Sequence, residues 1–422
     1  MLALFIDTHR ACLSMKFLLI HQNFPGQFKF LAPALVQAGH EVVALGVNPL
    51  KEPMLGVTYL QHIPQPVTGA MSVSTPGAIK DLYGKMLRGD SCAQMLVQLK
   101  ANGFIPDVTF AHPGWGEALY VKDVFPRTRL LIYAEYFYGA PGGDVGFDPE
   151  FSRPSLHGLQ RMRIKNTHLL HAMSVADEGL SPTLFQRDQH PDWFRQRIKV
   201  IHDGIDTTRF RPDSAARVNL RGAGIVLQPG DEVITFVARE LEPYRGYHIF
   251  MRALPLLQRL RPSARIVIVG GDSVSYGAAA PAGTTWKQQF LAEVAGQLDM
   301  SRIHFVGKLP HSTLTQLMQV SAAHVYLTYP FVLSWSLMEA MSIGCLIIGS
   351  ATAPVQEMIR HGENGLLTDF FDPLALAHTV ADALANADQL QHLREAARQH
   401  IVERFDLQTC CLPQMLRFVT GQ

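Results

Sequence analysis

The stretch EVITFVARELEPYRGYHIFMRALPLLQRLRPSARIVIVGGD, residues 232–272, places a helical pattern between two apolar runs. EVITFVARE and ARIVIVGGD are rich in β-branched residues and are typical of buried strands, whereas YHIFMRALPLLQRL between them is long enough for a helix. Two parallel strands need a crossover of this kind. The stretch therefore predicts a strand–helix–strand unit in a parallel sheet that helices cover on both faces.

The same alternation runs along the rest of the chain in two series. The first series holds the apolar runs KFLLIH, HEVVALGV, PDVTFAH and RLLIYAEYFY, and the second continues after residue 272 with IHFVGKL and AHVYLTY. A stretch rich in turn formers, KVIHDGIDTTRFRPD, lies between the two series. The pattern predicts an α/β protein with two Rossmann-like domains that join near residues 203–212.

Length and composition fit this architecture and exclude other classes. A chain of 422 residues exceeds what one hydrophobic core fills, and 47% hydrophobic and 17% charged residues are globular values. The net charge of +1 provides no field for nucleic acid, so no nucleic-acid partner is expected. The five cysteines show no metal-ligand spacing, which favours reduced core thiols, no metal site and a cytoplasmic protein. MLALFIDTHRACLS, before Met15, is too short to span a bilayer; we expect translation to begin at Met15 or residues 1–14 to be a disordered extension.

Two motifs of the second series suggest an anion site. ARELEPYRG follows a predicted strand and opens a helix, so Arg239 and Arg245 would lie beside a helix N-terminus that favours a diphosphate. The alternative is a solvated pair of arginines neutralised by Glu240 and Glu242. Gly270 and Gly271 end the next strand and would let the backbone approach a ligand closely.

The first series carries its polar candidates after strands, where ligands bind in this architecture. HQNFPGQF contains Gly26, and AHPGWGE contains His112, although a histidine by itself is more often structural than functional. The patternless loops 138–151 and 270–286 also follow strands, so both should flank a cleft, although the first is equally well explained as a flexible loop. The basic cluster RMRIK, residues 161–165, is a solvated helix face or a contact with a membrane or a phosphate-bearing acceptor.

One carboxylate stands out in YPFVLSWSLMEAMSIG, residues 329–344. All its neighbours are apolar or small, and burying an unpaired charge costs several kcal/mol in effective terms. Glu339 should therefore face water or bind something.

Taken together, ARELEPYRG, IVGGD, IHFVGKLP, YPFVLSWSLMEAMSIG and VQEMIRHGENGLL closely resemble the motifs of the retaining glycosyltransferases of family 4, which have the GT-B fold. The resemblance covers the second domain almost completely, and the first mainly by pattern and by AHPGWGE. It implies two Rossmann-like domains that face each other across a cleft. Residues 1–206 would bind the acceptor, residues 207–404 the nucleotide-sugar donor, and residues 405–422 would form a helix that crosses back to the first domain.

The resemblance also implies roles for single residues. Arg239 and Arg245 match the basic pair that neutralises the donor diphosphate, Gly26 the glycine loop near the phosphates, and His112 a histidine near the donor sugar. Glu339 matches the second glutamate of the family signature, which accepts hydrogen bonds from the nucleotide ribose. Phe331 stands where the first glutamate, which contacts the sugar, is usual, so sugar recognition would pass to the backbone of Val332, Leu333 and Ser334.

The activity that the resemblance implies is transfer of a sugar from a nucleoside diphosphate, UDP or GDP, to an acceptor hydroxyl, without a metal or other cofactor. The acceptor would be a glycan or a lipid-linked glycan in cell-envelope or exopolysaccharide synthesis, and the protein could touch the inner face of a membrane peripherally. Two alternatives stay open: a nucleotide-sugar epimerase of the same fold, and a binder of nucleotide sugars without catalysis.

Overall fold

Two parallel sheets form the frame of the molecule. The computed structural model describes residues 14–67, 76–139, 142–153 and 155–422. The first sheet consists of β1 (Lys16–Ile20), β2 (Glu41–Gly46), β3 (Val57–Gln61), β4 (Val108–Ala111), β5 (Arg129–Tyr133), β6 (Glu178–Ser181) and β7 (Ile198–Val200). A short antiparallel pair, β8 (Val218–Leu220) and β9 (Ile225–Leu227), precedes the second sheet. The second sheet consists of β10 (Val233–Glu240), β11 (Arg265–Gly271), β12 (Ile303–Gly307), β13 (Ala323–Tyr326), β14 (Ile347–Ser350) and β15 (Leu366–Thr368).

Helices connect these strands and cover them. Those of the first half are α1 (Leu31–Gln37), α2 (Gly77–Ala101), α3 (Val121–Val124), α4 (Leu156–Val175), α5 (Leu184–Asp188) and α6 (Asp192–Arg195). Those of the second half are α7 (Tyr247–Leu260), α8 (Trp286–Val294), α9 (His311–Gln319), α10 (Trp335–Ile343), α11 (Ala353–Met358), α12 (Pro373–Ala385), α13 (Gln391–Phe405) and α14 (Leu412–Thr420).

The strand order is the same in both sheets over six strands. It runs β3-β2-β1-β4-β5-β6-β7 in the first and β12-β11-β10-β13-β14-β15 in the second, and all neighbouring strands are parallel. In each sheet the order reverses once, between β1 and β4 and between β10 and β13, and such a switch point opens a crevice at the carboxyl ends of the strands. The predicted α/β class with two Rossmann-like sheets is confirmed.

Alternation along β1 shows why helices lie on both faces of the first sheet. Leu18 and Ile20 point into one hydrophobic cluster with side chains of α2 and α4, whereas Phe17 and Leu19 point into another with α1. All four are fully buried. Residues of α14, Met415 and Val419, belong to the second cluster, so the C-terminal helix lies on the first sheet. The exact domain boundaries at 206 and 404 stay predictions.

The segment 142–153, which we call the strap, leaves the first sheet and packs on the second domain. Phe147 contacts Tyr329, with ring centroids 5.1 Å apart, and Phe151 contacts Trp286 at 5.3 Å. The predicted loop 138–151 therefore bridges the domains in its described part, while residues 140 and 141 lie outside that part.

Residues 1–13, with Cys12, also lie outside the described part, so the expected start at Met15 stays a prediction. Within the described residues, the structure has no helix with the length and hydropathy of a membrane span. The other four cysteines are free thiols, and three of them are buried.

Candidate functional site

A cleft of about 730 Å³ opens where the carboxyl ends of the two sheets face each other. This size suits a ligand larger than a single sugar. Both domains contribute to its walls. The first domain and the linker contribute Gln27, Tyr133, Glu135, Gln186 and Asp203 to the lining. The second domain contributes Arg239, Arg245, Tyr276, Lys308, His311, Val332, Leu333, Ser334, Trp335 and Glu339.

The two predicted arginines lie on the same wall of this cleft in different environments. Arg239 is exposed at the end of β10. Arg245, only 7% exposed, lies in the turn before α7, and its Nη1 donates to Thr328 Oγ1 at 2.8 Å and to the carbonyl oxygen of Val332 at 3.1 Å. In the described part of the chain neither arginine is in a salt bridge. The wall therefore presents two guanidinium groups without a paired carboxylate, although the charge of Glu242 acts on Arg245 from a distance.

The neighbouring glutamates have other partners, so the interpretation of a mutually neutralised cluster is wrong. Glu240 pairs with Lys308 and accepts the amide of Ser273. Glu242 is fully buried and accepts the backbone amides of Ser275 and Gly277 at 3.0 and 2.9 Å. These contacts hold the loop after β11 against the turn before α7, which brings Tyr276 to the cleft. The prediction that loop 270–286 flanks a cleft is confirmed.

Glu339 reaches the cleft from α10 with a side chain that is 15% exposed. Its Oε2 lies 3.1 Å from Nε2 of His311, and Oε1 accepts no hydrogen bond from a described residue. Burial raises the pKa of Glu339, while His311, Arg209 and Lys29 act in the opposite direction. The carboxylate thus touches a histidine and still offers one oxygen to a ligand.

The segment before α10 offers backbone donors to the same space. The amides of Val332 and Leu333 donate to no described residue, whereas the amide of Ser334 donates to the hydroxyl of Tyr326 at 2.9 Å. All three residues line the cleft. Ser334 also caps α10, so the helix N-terminus, with its partial positive charge, faces the cleft.

Other predicted residues lie outside the main cleft for local reasons. Gly26 lines an adjoining cavity of about 150 Å³; its φ is +46°, and a Cβ there would lie 2.4 Å from the ring of His21. A Cβ on Gly270 would lie 2.7 Å from Leu241, and one on Gly271 2.2 Å from a Glu240 oxygen. Gly270 and Gly271 thus admit protein atoms, and among described residues they are not part of the cleft lining.

His112 lies one layer behind the wall of the first domain. It is 3% exposed, stacks on Tyr133 with ring centroids 5.6 Å apart, and its Nε2 is 3.4 Å from Glu135 Oε2. Its Nδ1 accepts the amide of Gly114. The predicted contact of His112 with the donor sugar would therefore have to pass through Glu135.

Phe331 is 4% exposed and is absent from the lining of the cleft. Its ring packs against four tyrosines from both domains: Tyr136 at 4.7 Å, Tyr276 at 5.0 Å, Tyr244 at 5.4 Å and Tyr138 at 6.4 Å. Phe331 is thus part of the apolar contact between the domains.

Two further carboxylates of the cleft, Glu135 and Asp203, follow β5 and β7 and were not predicted from the sequence. Burial raises the pKa of Asp203 to about 6, although the hydroxyl of Tyr133 and the indole of Trp335 donate to its two oxygens at 2.7 and 2.8 Å. Both carboxylates were predictable by the rule that polar groups at the carboxyl ends of parallel strands collect at the ligand site.

Two family profiles match almost all of the chain from residue 38. The one described as "Glycosyl transferase family 4 group" covers residues 38–210, and the one described as "Glycosyl transferases group 1" covers residues 224–400. The chain belongs to the family 4 glycosyltransferases.

Curated relatives of this glycosyltransferase include the D-inositol 3-phosphate glycosyltransferases of Streptomyces coelicolor, 25% identical over 304 residues, and of Corynebacterium urealyticum, 31% identical over 216 residues. These alignments cover 64% and 50% of this chain and 64% and 48% of the relatives. The chain thus matches less than two thirds of their length.

Solved structures share the GT-B fold with this transferase. Anabaena HepE, crystallised with UDP and glucose, superposes with a TM-score of 0.66 at 16% identity, covering 97% of this chain and 100% of that one. WaaG, from lipopolysaccharide biosynthesis, gives 0.66 at 15% identity with the same coverage. At these identities the likeness establishes the fold, which agrees with the resemblance of the sequence motifs.

Among the described residues, a group that could hold a metal ion lies outside the cleft of the transferase. Asp148 and Glu150 of the strap and His248 of α7 have ligand atoms within 4.8 Å of one another. Two of the three already have polar partners, since Glu150 accepts two hydrogen bonds from Arg252 and Asp148 accepts one from Tyr329. Contacts between the two domains thus account for this cluster.

Proposed function

We propose that this transferase moves a hexose from a uridine-diphosphate sugar to an acceptor hydroxyl with retention of the anomeric configuration. The observation that carries the proposal is one wall of the cleft, where Arg239, Arg245 and the N-terminus of α10 provide positive charge and Glu339 provides a carboxylate oxygen. A diphosphate suits the former and the two ribose hydroxyls suit the latter. The second domain would thus hold the donor, and the first would hold the acceptor.

The choice of UDP over GDP draws on the structural neighbours. HepE was crystallised with UDP and with UDP-glucose. The ring of Tyr276, beneath the Arg245 guanidinium at 5.0 Å, lines the cleft and offers an aromatic face to the ligand. GDP is the second candidate for the donor nucleotide.

In the proposed reaction the bond between the anomeric carbon and the diphosphate oxygen breaks, and the acceptor oxygen bonds to the same face of that carbon. Negative charge grows on the departing diphosphate, so fixed positive groups stabilise the transition state more than the ground state. In this proposal Arg239 and Arg245 supply that charge, and no metal is required. The acceptor proton ends on an oxygen of the departing diphosphate.

The acceptor is proposed to be a glycan or a lipid-linked glycan of the cell envelope or an exopolysaccharide. WaaG is involved in lipopolysaccharide biosynthesis, and the curated relatives are named D-inositol 3-phosphate glycosyltransferases. A phosphate-bearing acceptor fits the basic residues of α4, including Arg161 and Lys165.

Binding and product analysis test the proposal. Isothermal titration of the protein with UDP, GDP and ADP should rank UDP as the tightest ligand, and a thermal shift should rise with the same order. Nuclear magnetic resonance of the product made from UDP-glucose in the presence of EDTA should show the donor's anomeric configuration. Conversion of the donor to its epimer would favour the epimerase, and tight nucleotide binding without transfer or hydrolysis would favour the non-catalytic binder.

A further inference from the structure

Glu135 is a carboxylate of the first domain on the wall opposite the arginines. It follows β5 in the aromatic run YAEYFY, and 34% of its side chain is exposed. The exposed part lines the cleft. Nothing in the predicted site requires a carboxylate here.

The protein holds this carboxylate in one orientation. Gln27 Nε2 donates to Glu135 Oε1 at 2.9 Å, and His112 Nε2 lies 3.4 Å from Oε2. The side-chain amide nitrogen of Gln186, Nε2, donates to the backbone oxygen of Glu135 at 2.7 Å. Each carboxylate oxygen therefore meets one protein group and keeps a second lone pair for a ligand.

Three carboxylates of the described residues line the cleft, and their environments differ. Burial raises the pKa of both Asp203 and Glu339. For Glu135, burial acts in the same direction, but the neighbouring imidazole of His112, together with His21 and Gln27, holds the pKa below its ordinary value. Glu135 is thus ionised at neutral pH. Such separation of carboxyl groups by environment is typical of groups with different chemical roles.

An ionised carboxylate facing a diphosphate across the cleft would be repelled by it. The arrangement is favourable only if a hydrogen-bond donor or a positive charge lies between them. In a transfer reaction the acceptor hydroxyl and the anomeric carbon, which becomes positive as the donor bond breaks, are the groups at that place.

We propose that Glu135 is a catalytic residue of the transfer, whose carboxylate accepts a hydrogen bond from the acceptor hydroxyl and faces the positive charge developing at the anomeric carbon. This proposal rests on the proposed function. The bonds that break and form are those given above. Glu135 orients the acceptor hydroxyl before the reaction, the proton of that hydroxyl turns to the departing diphosphate oxygen and is transferred to it as the new bond forms, and Glu135 is ionised before and after turnover. His112 then acts as a positioning residue through Glu135.

The decisive variant is Glu135→Gln, which keeps the shape and removes the charge. Glu178→Gln is the matched control. Glu178 is the first residue of the neighbouring parallel strand β6, so it lies at the amino ends of the strands, away from the cleft, and it pairs with Arg129. Transfer from UDP-glucose, the Kd of UDP and the melting temperature are measured for both. Glu135→Gln should lower kcat by about 100-fold and raise the acceptor KM, with the melting temperature unchanged and the Kd of UDP unchanged or lower, since a repelling charge is removed. The control should match the wild type in kcat, acceptor KM, the Kd of UDP and the melting temperature.

A second variant tests the link to His112. His112→Phe keeps a ring against Tyr133 and removes the group that lowers the pKa of Glu135. Among the described residues, the titratable groups that interact with Glu135 are His112, His21, Tyr133, Tyr138 and Asp203. Because the pKa of Glu135 rises in the variant, the acidic limb of kcat/KM should move to higher pH, whereas a merely structural histidine would lower activity at every pH alike.

The outcomes separate the two proposals. If the wild type transfers sugar but Glu135→Gln has wild-type kcat, or loses UDP affinity in proportion to kcat, the role of Glu135 is refuted while the proposed function stands. If the wild type binds UDP and transfers to no acceptor, the proposed function fails and the role of Glu135 fails with it.

Discussion

Glu150 of the strap accepts two hydrogen bonds from the guanidinium of Arg252 on α7, at 2.7 and 2.8 Å. The same guanidinium donates to Glu293 of α8 at 2.6 Å, so a segment of the first domain joins an ion-pair network of the second. Beside it Asp148, 2% exposed, accepts a hydrogen bond from Tyr329 and lies 3.1 Å from His248 Nε2. The strap thus connects the two walls of the cleft.

Asp148→Asn should destabilise the protein and change its response to acid. Burial would raise the pKa of Asp148, but the neighbouring imidazole of His248 and the hydrogen bond from Tyr329 hold it below its ordinary value. A carboxyl group with a lowered pKa in the folded state stabilises above its unfolded pKa of about 4, and this stability is lost as pH falls through the folded pKa. Urea unfolding at pH 7 should show a loss of about 2 kcal/mol, and a flatter pH dependence below about pH 4.

The control for this variant is Asp123→Asn, since Asp123 is exposed on α3. Equal unfolding curves for the two variants at every pH would contradict the role given to Asp148.

Arg239→Ala and Arg245→Ala should each lower kcat/KM by about 100-fold or more, because each removes a positive charge that stabilises the leaving group. They should differ in stability. Arg239 is exposed, whereas removal of the buried Arg245 leaves Thr328 Oγ1 and the Val332 carbonyl without a donor, so only Arg245→Ala should lower the melting temperature. Steady-state kinetics and thermal unfolding of both variants, with exposed Arg259→Ala as control, measure this. Wild-type turnover in either variant would remove the diphosphate assignment.

Glu339→Gln should weaken UDP and the complete donor by the same factor, because the ribose is common to both. Since the pKa of Glu339 is raised, its ionised fraction falls at a higher pH than for an ordinary glutamate. UDP affinity of the wild type should therefore fall with acid through that range by an amount that the variant lacks. Titration calorimetry of both proteins from pH 5 to 8 measures this, because the comparison cancels the titration of UDP itself. A difference in UDP affinity between the two proteins that stays the same at every pH would contradict the assignment.

The two sheets, and the cleft wall that carries Arg239, Arg245 and Glu339, were largely predictable because they depend on local sequence pattern. Strands such as KFLLIH and IVIVGG are continuous apolar runs, and the carboxyl ends of parallel strands meet at one edge whatever the details of packing. This is why Arg239, Arg245 and Glu339 lie around one cleft, as the motifs indicate.

The missed features depend on contacts between residues far apart in sequence. Phe331 is surrounded by tyrosines 55 to almost 200 positions away, and His112 lies behind Glu135 because of the packing of β4 against β5. Glycine requirements were ambiguous for the same reason: the space at Gly270 is taken by Leu241, and no local pattern distinguishes a protein neighbour from a ligand.

Phe331 stands where the resemblance to the family implies a glutamate. The structure places its ring between Tyr136 of the first domain and Tyr276 of the second, at 4.7 and 5.0 Å. Phe331→Ala should therefore lower the free energy of unfolding by about 3–5 kcal/mol. Phe331→Glu should cost at least as much, because it buries a charge among rings, whereas Phe331→Leu should keep most of the stability.

Donor selectivity gives the second measurement at this position. A site that hydrogen-bonds a hydroxyl rejects analogues without it far more strongly than an apolar wall does. Because Phe331 replaces the glutamate of the family pattern and does not reach the cleft, residue 331 offers the donor no hydrogen bond, so the wild type should discriminate weakly at one hydroxyl of the donor sugar, or prefer a donor that lacks it. A panel of UDP-glucose, its epimers and deoxy analogues, compared between wild type and Phe331→Leu, should give one profile for both proteins, since the ring does not reach the cleft. Sharp discrimination by the wild type at every hydroxyl, or a profile that changes with Phe331→Leu at equal stability, would show that the sugar is recognised in another way.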